Sequence, residues 1–325
     1  MLNSKKLSMS YKKYRKNFVN ESFIEHGKTE YERCISKIVD IVESNNVDRD
    51  HVLLINLGTI YDNYLMTWKE EVLVQNTNRI EGLKLMYPTV FYQCISQELY
   101  RIRYPNSTVD YTFKEIISTL IHFTMFGWQK EERILFDFIA AYISDRFISS
   151  NDWNKHTWFL LELYLQYRNK TLLGASRNVY TFVKKELESK DLRNDLLPDD
   201  LGIYDKVLKC WSTPIEEEIT ALIGQMINYH SELASELGKS IEFGDYRYGF
   251  YPYEILFLIH VRKKSGLPVP QHFEDILMNT PEAKMVFKDP EPYPEKDPLL
   301  VQIDSFYRKN YPDYFLNQYG EELFQ

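Results

Sequence analysis

Residues 112–128 read Thr112-Phe113-Lys114-Glu115-Ile116-Ile117-Ser118-Thr119-Leu120-Ile121-His122-Phe123-Thr124-Met125-Phe126-Gly127-Trp128, a helix written out with its start and its stop. Thr112 and Glu115 have the spacing of a capping box, in which a hydroxyl and a carboxylate satisfy backbone N–H groups that the first turn leaves free. Ile116, Leu120, Ile121 and Phe123 then recur at helical spacing. Gly127 breaks the run, and Ile134, Leu135, Phe138, Ile139, Tyr142 and Ile143 carry the next helix.

The same pattern extends outward in both directions. Upstream, Thr29-x-x-Glu32 repeats the capping-box spacing ahead of Cys34, Ile35 and Ile38. Asp48 to Gln75 puts Val52, Ile55, Ile60, Tyr64 and Trp68 on one apolar face, and Pro88 suits the first position of a helix through Phe91, Tyr92, Ile95 and Leu99. Downstream, Asp152 is placed to cap a helix through Phe159, Leu160 and Leu163, and another covers Ser176 to Glu188. Thr213-Pro214-Ile215-Glu216 opens a helix that runs through Ile219, Leu222, Ile223 and Met226 to a stop at Gly238. Pro252 starts a helix from Tyr253 to Lys264, which Gly266-Leu267-Pro268 ends.

Strictly alternating β-type runs are absent, and no repeat of fixed length occurs. The expected fold is all-α, an irregular bundle of ten or more helices with no sheet of consequence. The expected organisation is a basic N-terminal arm over residues 1–16 and a single all-α domain over 17–280, with a subdivision near 189–200. Residues 281–325 form a proline-rich connector and a final helix near Leu299–Tyr307.

The chain has 325 residues, a net charge of −8 and an aromatic content of 15%. Lys5, Lys6, Lys12, Lys13, Arg15 and Lys16 lie in residues 1–16 without any acid, so the remainder carries −14. An acidic body repels phosphate backbones, which argues against a nucleic-acid ligand and for a basic protein partner. Cys34, Cys94 and Cys210 are three scattered thiols, a usage that fits a reducing cytoplasm. The basic N-terminus lacks an apolar run of signal-peptide type, and no stretch is long enough to span a membrane. The expectation is a cytoplasmic protein with no membrane association.

Catalytic patterns are weak. The seven histidines form neither H-x-x-x-H nor H-E-x-x-H, and glycine-rich phosphate loops are missing, so no metal or cofactor is expected. Asp199-Asp200 follows Pro198 in a polar turn and reads as a helix cap. His122 and His260 sit in apolar helices and read as core histidines, and Trp153 and Trp158 around Lys155 and His156 read as packing. The enzymatic alternative is an all-α metal-dependent hydrolase that assembles His122, His156 and Asp199 from distant helices.

One segment stands apart: Gly244-Asp245-Tyr246-Arg247-Tyr248-Gly249-Phe250-Tyr251-Pro252-Tyr253-Glu254 places five aromatic rings and three charges ahead of an apolar helix. Rigid aromatics contribute contact area at low entropic cost, so Asp245, Tyr246, Tyr248, Tyr251, Tyr253 and Glu254 are candidate partner-binding residues. The structural alternative has Pro252 opening the helix, Glu254 bonding back to its cap and the tyrosines packing as a staple.

This segment, together with Ile117–Trp128 and Ile227-Asn228-Tyr229-His230, resembles the immunity proteins of bacterial polymorphic toxin systems, in particular the family that protects against PoNe-type DNase toxins. The resemblance covers residues 30–280 in outline. This chain lacks the tryptophan of that family's Tyr-Gly-Tyr-Trp-Ser-Phe-Glu pattern and inserts Pro252. The resemblance implies an all-helical, acidic, non-catalytic protein that neutralises a cognate toxin, a basic nuclease, by occluding its active site. A helical adaptor or scaffold is the remaining alternative.

Overall fold

A computed structural model describes residues 4–104, 112–143, 154–192, 194–195, 197–239 and 242–325, with the side chains of 21–23 left aside. Among these residues the fold is all-α: twelve α-helices, and a lone β-bridge between Leu172 and Ala175 in place of any strand. No helix among them is long and apolar enough to cross a membrane. The helices are α1 (Ser4–Phe18), α2 (Glu21–Glu43), α3 (Asp50–Lys69), α4 (Glu81–Arg103), α5 (Phe113–Met125) and α6 (Gln129–Tyr142). They continue with α7 (Lys155–Tyr167), α8 (Val179–Ser189), α9 (Ile203–Cys210), α10 (Glu216–Ala234), α11 (Tyr253–Lys264) and α12 (Pro298–Asn310).

The chain divides into two compact units, one of Met1–Asn17 with Ala140–Val286, the other of Phe18–Ile139 with Phe287–Gln325. The boundary therefore does not fall at 189–200, nor is 17–280 one continuous domain. Charge and proline mark loops, whereas a unit is defined by which apolar faces meet, and here the C-terminal segment completes a unit begun more than half the chain earlier.

In the unit that contains α2 to α5 and α12, α3 packs against both α2 and α4. Gly82 makes the close crossing of α3 and α4 possible: a Cβ there would lie 2.7 Å from the Tyr64 carbonyl and in conflict with the Trp68 amide. The Thr112–Glu115 capping box forms as expected, and Gly127 adopts φ +70°. Two other expectations fail. Thr29 lies inside α2, its hydroxyl donating to the Glu25 carbonyl at 3.0 Å, because helical residues extend upstream of it. Pro88 is inside α4, where burial of most of the helix outweighs the lost backbone bond.

His122 lies in the interior of this unit, stacked on Tyr87 at 4.0 Å between ring centroids. Its Nδ1 is 2.6 Å from the Ser118 carbonyl and its Nε2 3.1 Å from the Tyr87 hydroxyl. Burial pushes this imidazole down to about 3 from its ordinary 6.5. The unfolded chain therefore binds a proton here that the folded chain refuses. The contribution to stability is complete above about pH 6.5 and falls as pH drops towards 3. Between about pH 7 and pH 5 it should decline by about 2 kcal/mol, and His122→Phe should flatten the profile of urea-unfolding free energy by that amount.

The second unit holds α7 to α11 and most of α1. From residue 4 onward the basic N-terminal arm is an ordered helix: α1 buries Leu7 and Tyr14, and the Tyr14 hydroxyl donates to Glu282 at 2.8 Å. α10 begins two residues after the expected proline start, with the Thr213 hydroxyl bonded to Glu218 and to the Ile215 amide. Buried Glu162 of α7 accepts from the Val179 amide at 2.7 Å and so caps α8 from a neighbouring helix. Burial raises this carboxyl to about 7, although several amides oppose the shift. Arg262, fully buried, donates to the carbonyls of Trp211, Thr213 and Pro268 and fastens the loops before α10 and after α11.

Candidate functional site

The aromatic segment runs from the end of α10 into α11, and its conformation is imposed from within. Glu242 accepts from the His156 backbone amide at 2.6 Å and meets His156 Nδ1, while the Tyr229 hydroxyl donates to its other oxygen at 2.9 Å. His156 Nε2 is 2.6 Å from the Tyr253 hydroxyl. Burial opposes ionisation of Glu242, yet the adjoining His156 and these hydrogen bonds hold its carboxyl below the usual carboxylate range.

A second pair lies alongside. His230 Nδ1 is 2.8 Å from Glu254, and His230 Nε2 is 3.1 Å from the Gly249 carbonyl. A carbonyl only accepts, so Nε2–H donates to it. The contact with Glu254 then needs one further proton, shared between imidazole and carboxyl. Both side chains are fully buried.

Phe243 connects the two pairs. Its ring stacks on His230 at 3.7 Å and lies 4.3 Å from His156, between centroids. The residue sits at φ +55°, a left-handed conformation unusual for a bulky side chain, and is fully buried. The Gly238 amide donates to the Gly244 carbonyl at 2.7 Å and closes the base of the loop. Asp245 Oδ1 accepts from the amides of Arg247 and Tyr248 at 2.7 and 2.6 Å, the Asx geometry that fixes a tight turn. Phe250 packs on Tyr11 and Tyr14 of α1, with centroids 5.0 and 5.1 Å away.

These contacts sort the six candidate residues into two groups. Tyr248, Tyr251, Tyr253 and Glu254 are buried, so in this structure they are not presented to a partner. For Tyr253 and Glu254 the reason is that His156 of α7 and His230 of α10 supply polar partners that let a phenol and a carboxyl group enter the core. Of the structural alternative, the helix start at Pro252 and the inward packing of the tyrosines are found, whereas Glu254 bonds to His230 rather than to its own helix cap. Asp245 and Tyr246 are half-buried at the tip, and Arg247, absent from the sequence-based set, is exposed beside them. Lys13 Nζ lies 5.6 Å above the Tyr246 ring.

The residues of the hydrolase alternative have other roles. His156 is enclosed with both nitrogens engaged, and Asp199, whose side chain is 91% exposed, pairs with Lys184. Asp200 pairs with Lys155, and α9 is capped at Gly202 with no side-chain bond, so neither aspartate is the helix cap read from the sequence. Trp158 is buried, as a packing role requires, while Asp152 and Trp153 lie outside the described residues. Among the described residues, no three His, Cys, Asp or Glu side chains gather as ligands for one metal ion. Sequence reading missed the two His–Glu pairs because their members lie 86 and 24 residues apart. The available signal was Tyr229-His230 followed by Glu242 and Glu254, which reads as noise without the fold. Comparison with known proteins matched no family model, no curated sequence and no solved structure.

Proposed function

We propose that this chain is a partner-binding protein of the immunity type, which neutralises a cognate protein toxin by covering its active site. The observation that carries this reading is the preordered loop: two buried His–Glu pairs and Phe243 hold residues 242–254 in one conformation and leave Asp245, Tyr246 and Arg247 at its tip. A loop fixed before binding loses little entropy on association. Tyr and Arg are also the residue types that most often dominate interface energetics. The −14 carried outside residues 1–16 would steer a basic partner such as a nuclease, with association slowing as salt is raised.

The test is capture with the tagged full chain, identification of the partner and co-expression of that partner in a susceptible host. Protection of growth supports neutralisation, and a partner whose activity is unchanged in the complex contradicts it. Against that partner, Tyr246→Ala with Arg247→Ala should weaken binding by about 2–5 kcal/mol in titration calorimetry, with little change in stability. Unchanged affinity would move the interface away from the loop.

A further inference from the structure

The outward face of α1 is strongly basic, and the fold uses only part of that charge: Lys6 pairs with Glu236 and Lys13 lies over Tyr246. Leu7 and Tyr14, seven residues apart, bury the inner face, while Lys5, Lys6, Met9, Lys12, Lys13, Arg15 and Lys16 are exposed on the rest. Arg15 and Lys16 suit the negative end of the helix dipole. Lys5 does not: it sits in the first turn, where a cation is unfavourable by roughly 0.3–1 kcal/mol and acids are preferred, a position that Lys6 shares but offsets through its ion pair with Glu236. Solubility does not account for the arrangement either, since the remainder of the chain is acidic and would be served by more acid.

Beside these lysines lies a groove of about 460 Å³, lined by Lys5, Lys6, Met9, Ser10, Lys13 and Leu237. Met9 is 63% exposed there, an adaptable apolar side chain set among cations. The groove adjoins the loop tip through Lys13, which lies over Tyr246.

We propose that this groove is a docking site for an acidic segment of a protein partner, one that places an apolar side chain against Met9 and Leu237 and carboxylates against Lys5, Lys12 and Lys13. Charge complementarity selects the acid, and the apolar floor selects a peptide over a phosphate chain. An extended polyanion would also meet the −14 of the rest of the molecule, whereas a short segment engages the basic face within about one Debye length, ~8 Å at physiological salt. A basic partner steered by the acidic body and an acidic segment received locally are compatible, because a nuclease carries carboxylates at a metal-dependent active centre within a cationic surface. The site itself does not depend on the neutralisation reading: any partner with such a segment would dock.

The test uses the full chain and fluorescence anisotropy with a labelled helical peptide of about four turns, bearing four glutamates and a central leucine on one face. Micromolar binding is expected, weakened about tenfold by Lys5→Glu with Lys13→Glu and several-fold when the peptide leucine becomes serine. Lys5→Gln with Lys13→Gln should show a smaller loss in the same direction, and circular dichroism confirms that each variant is folded. No peptide binding, binding indifferent to charge reversal, or equal affinity for a single-stranded oligonucleotide of matching charge would each overturn the proposal. Because the probe is a synthetic peptide, failure here leaves the capture and protection experiments to decide neutralisation separately.

Discussion

Glu254→Leu is expected to destabilise the protein by about 3–5 kcal/mol, although the residue touches no solvent. The substitution keeps bulk in the core but leaves His230 Nδ1 facing an apolar side chain while Nε2 remains bonded to the Gly249 carbonyl. A buried polar group without its partner incurs its full desolvation cost, whereas a pair removed together does not. His230→Leu combined with Glu254→Leu should therefore recover part of the loss, and Glu254→Gln, whose amide N–H can donate to Nδ1 of an imidazole that keeps its proton on Nε2, should cost least of the three. Urea unfolding of these three variants, of His230→Leu alone and of the wild type measures this. Simple additivity of the single substitutions would show that the two side chains do not act as a unit.

Gly82→Ala is expected to destabilise by more than about 3 kcal/mol, while Gly58→Ala stabilises by up to about 1 kcal/mol. Both glycines are helical, and alanine favours a helix at either position. The neighbours decide the sign. A Cβ at Gly58 meets nothing within 4 Å, whereas at Gly82 it meets the backbone of Tyr64 and Trp68, which cannot yield as a flexible side chain would. Separating α3 from α4 to admit one methyl would loosen the packing that buries Trp68 and Tyr64. Thermal unfolding of both variants tests the crossing. A neutral Gly82→Ala would show that the helices can part there without loss.

The helices themselves were legible in the sequence because their signals are local. Thr112, Glu115 and Gly127 act within one or two turns, and the structure uses all three as read. The starts at Thr29 and Pro88 were misread because a cap motif or a proline is permissive rather than compulsory: once flanking residues pack, the helix continues through it. The two-unit division was illegible for the opposite reason, since it depends on contacts between segments far apart in the chain.

The candidate site shows the same split. The richness of residues 244–254 in aromatic rings and charge marked the segment, but which side chains face inward depended on His156 and His230, contributed by α7 and α10. Composition alone makes Tyr251 and Tyr253 look like the tyrosines of a binding surface, and only their burial, with His156 against Tyr253 and Tyr253 against Tyr251, shows them to be core. Arg247, the most exposed residue of the tip, carries no sequence signal, because a lone arginine among tyrosines has no spacing pattern.

The most direct measurement compares affinity capture from native cells by the wild-type chain with capture by Tyr246→Ser combined with Arg247→Glu, both tagged and both shown to be folded. A single stoichiometric protein partner, retained by the wild type and lost from the variant, is the expected result. A partner retained equally by both, or none retained by either, would contradict the assignment of residues 245–247 as the binding tip.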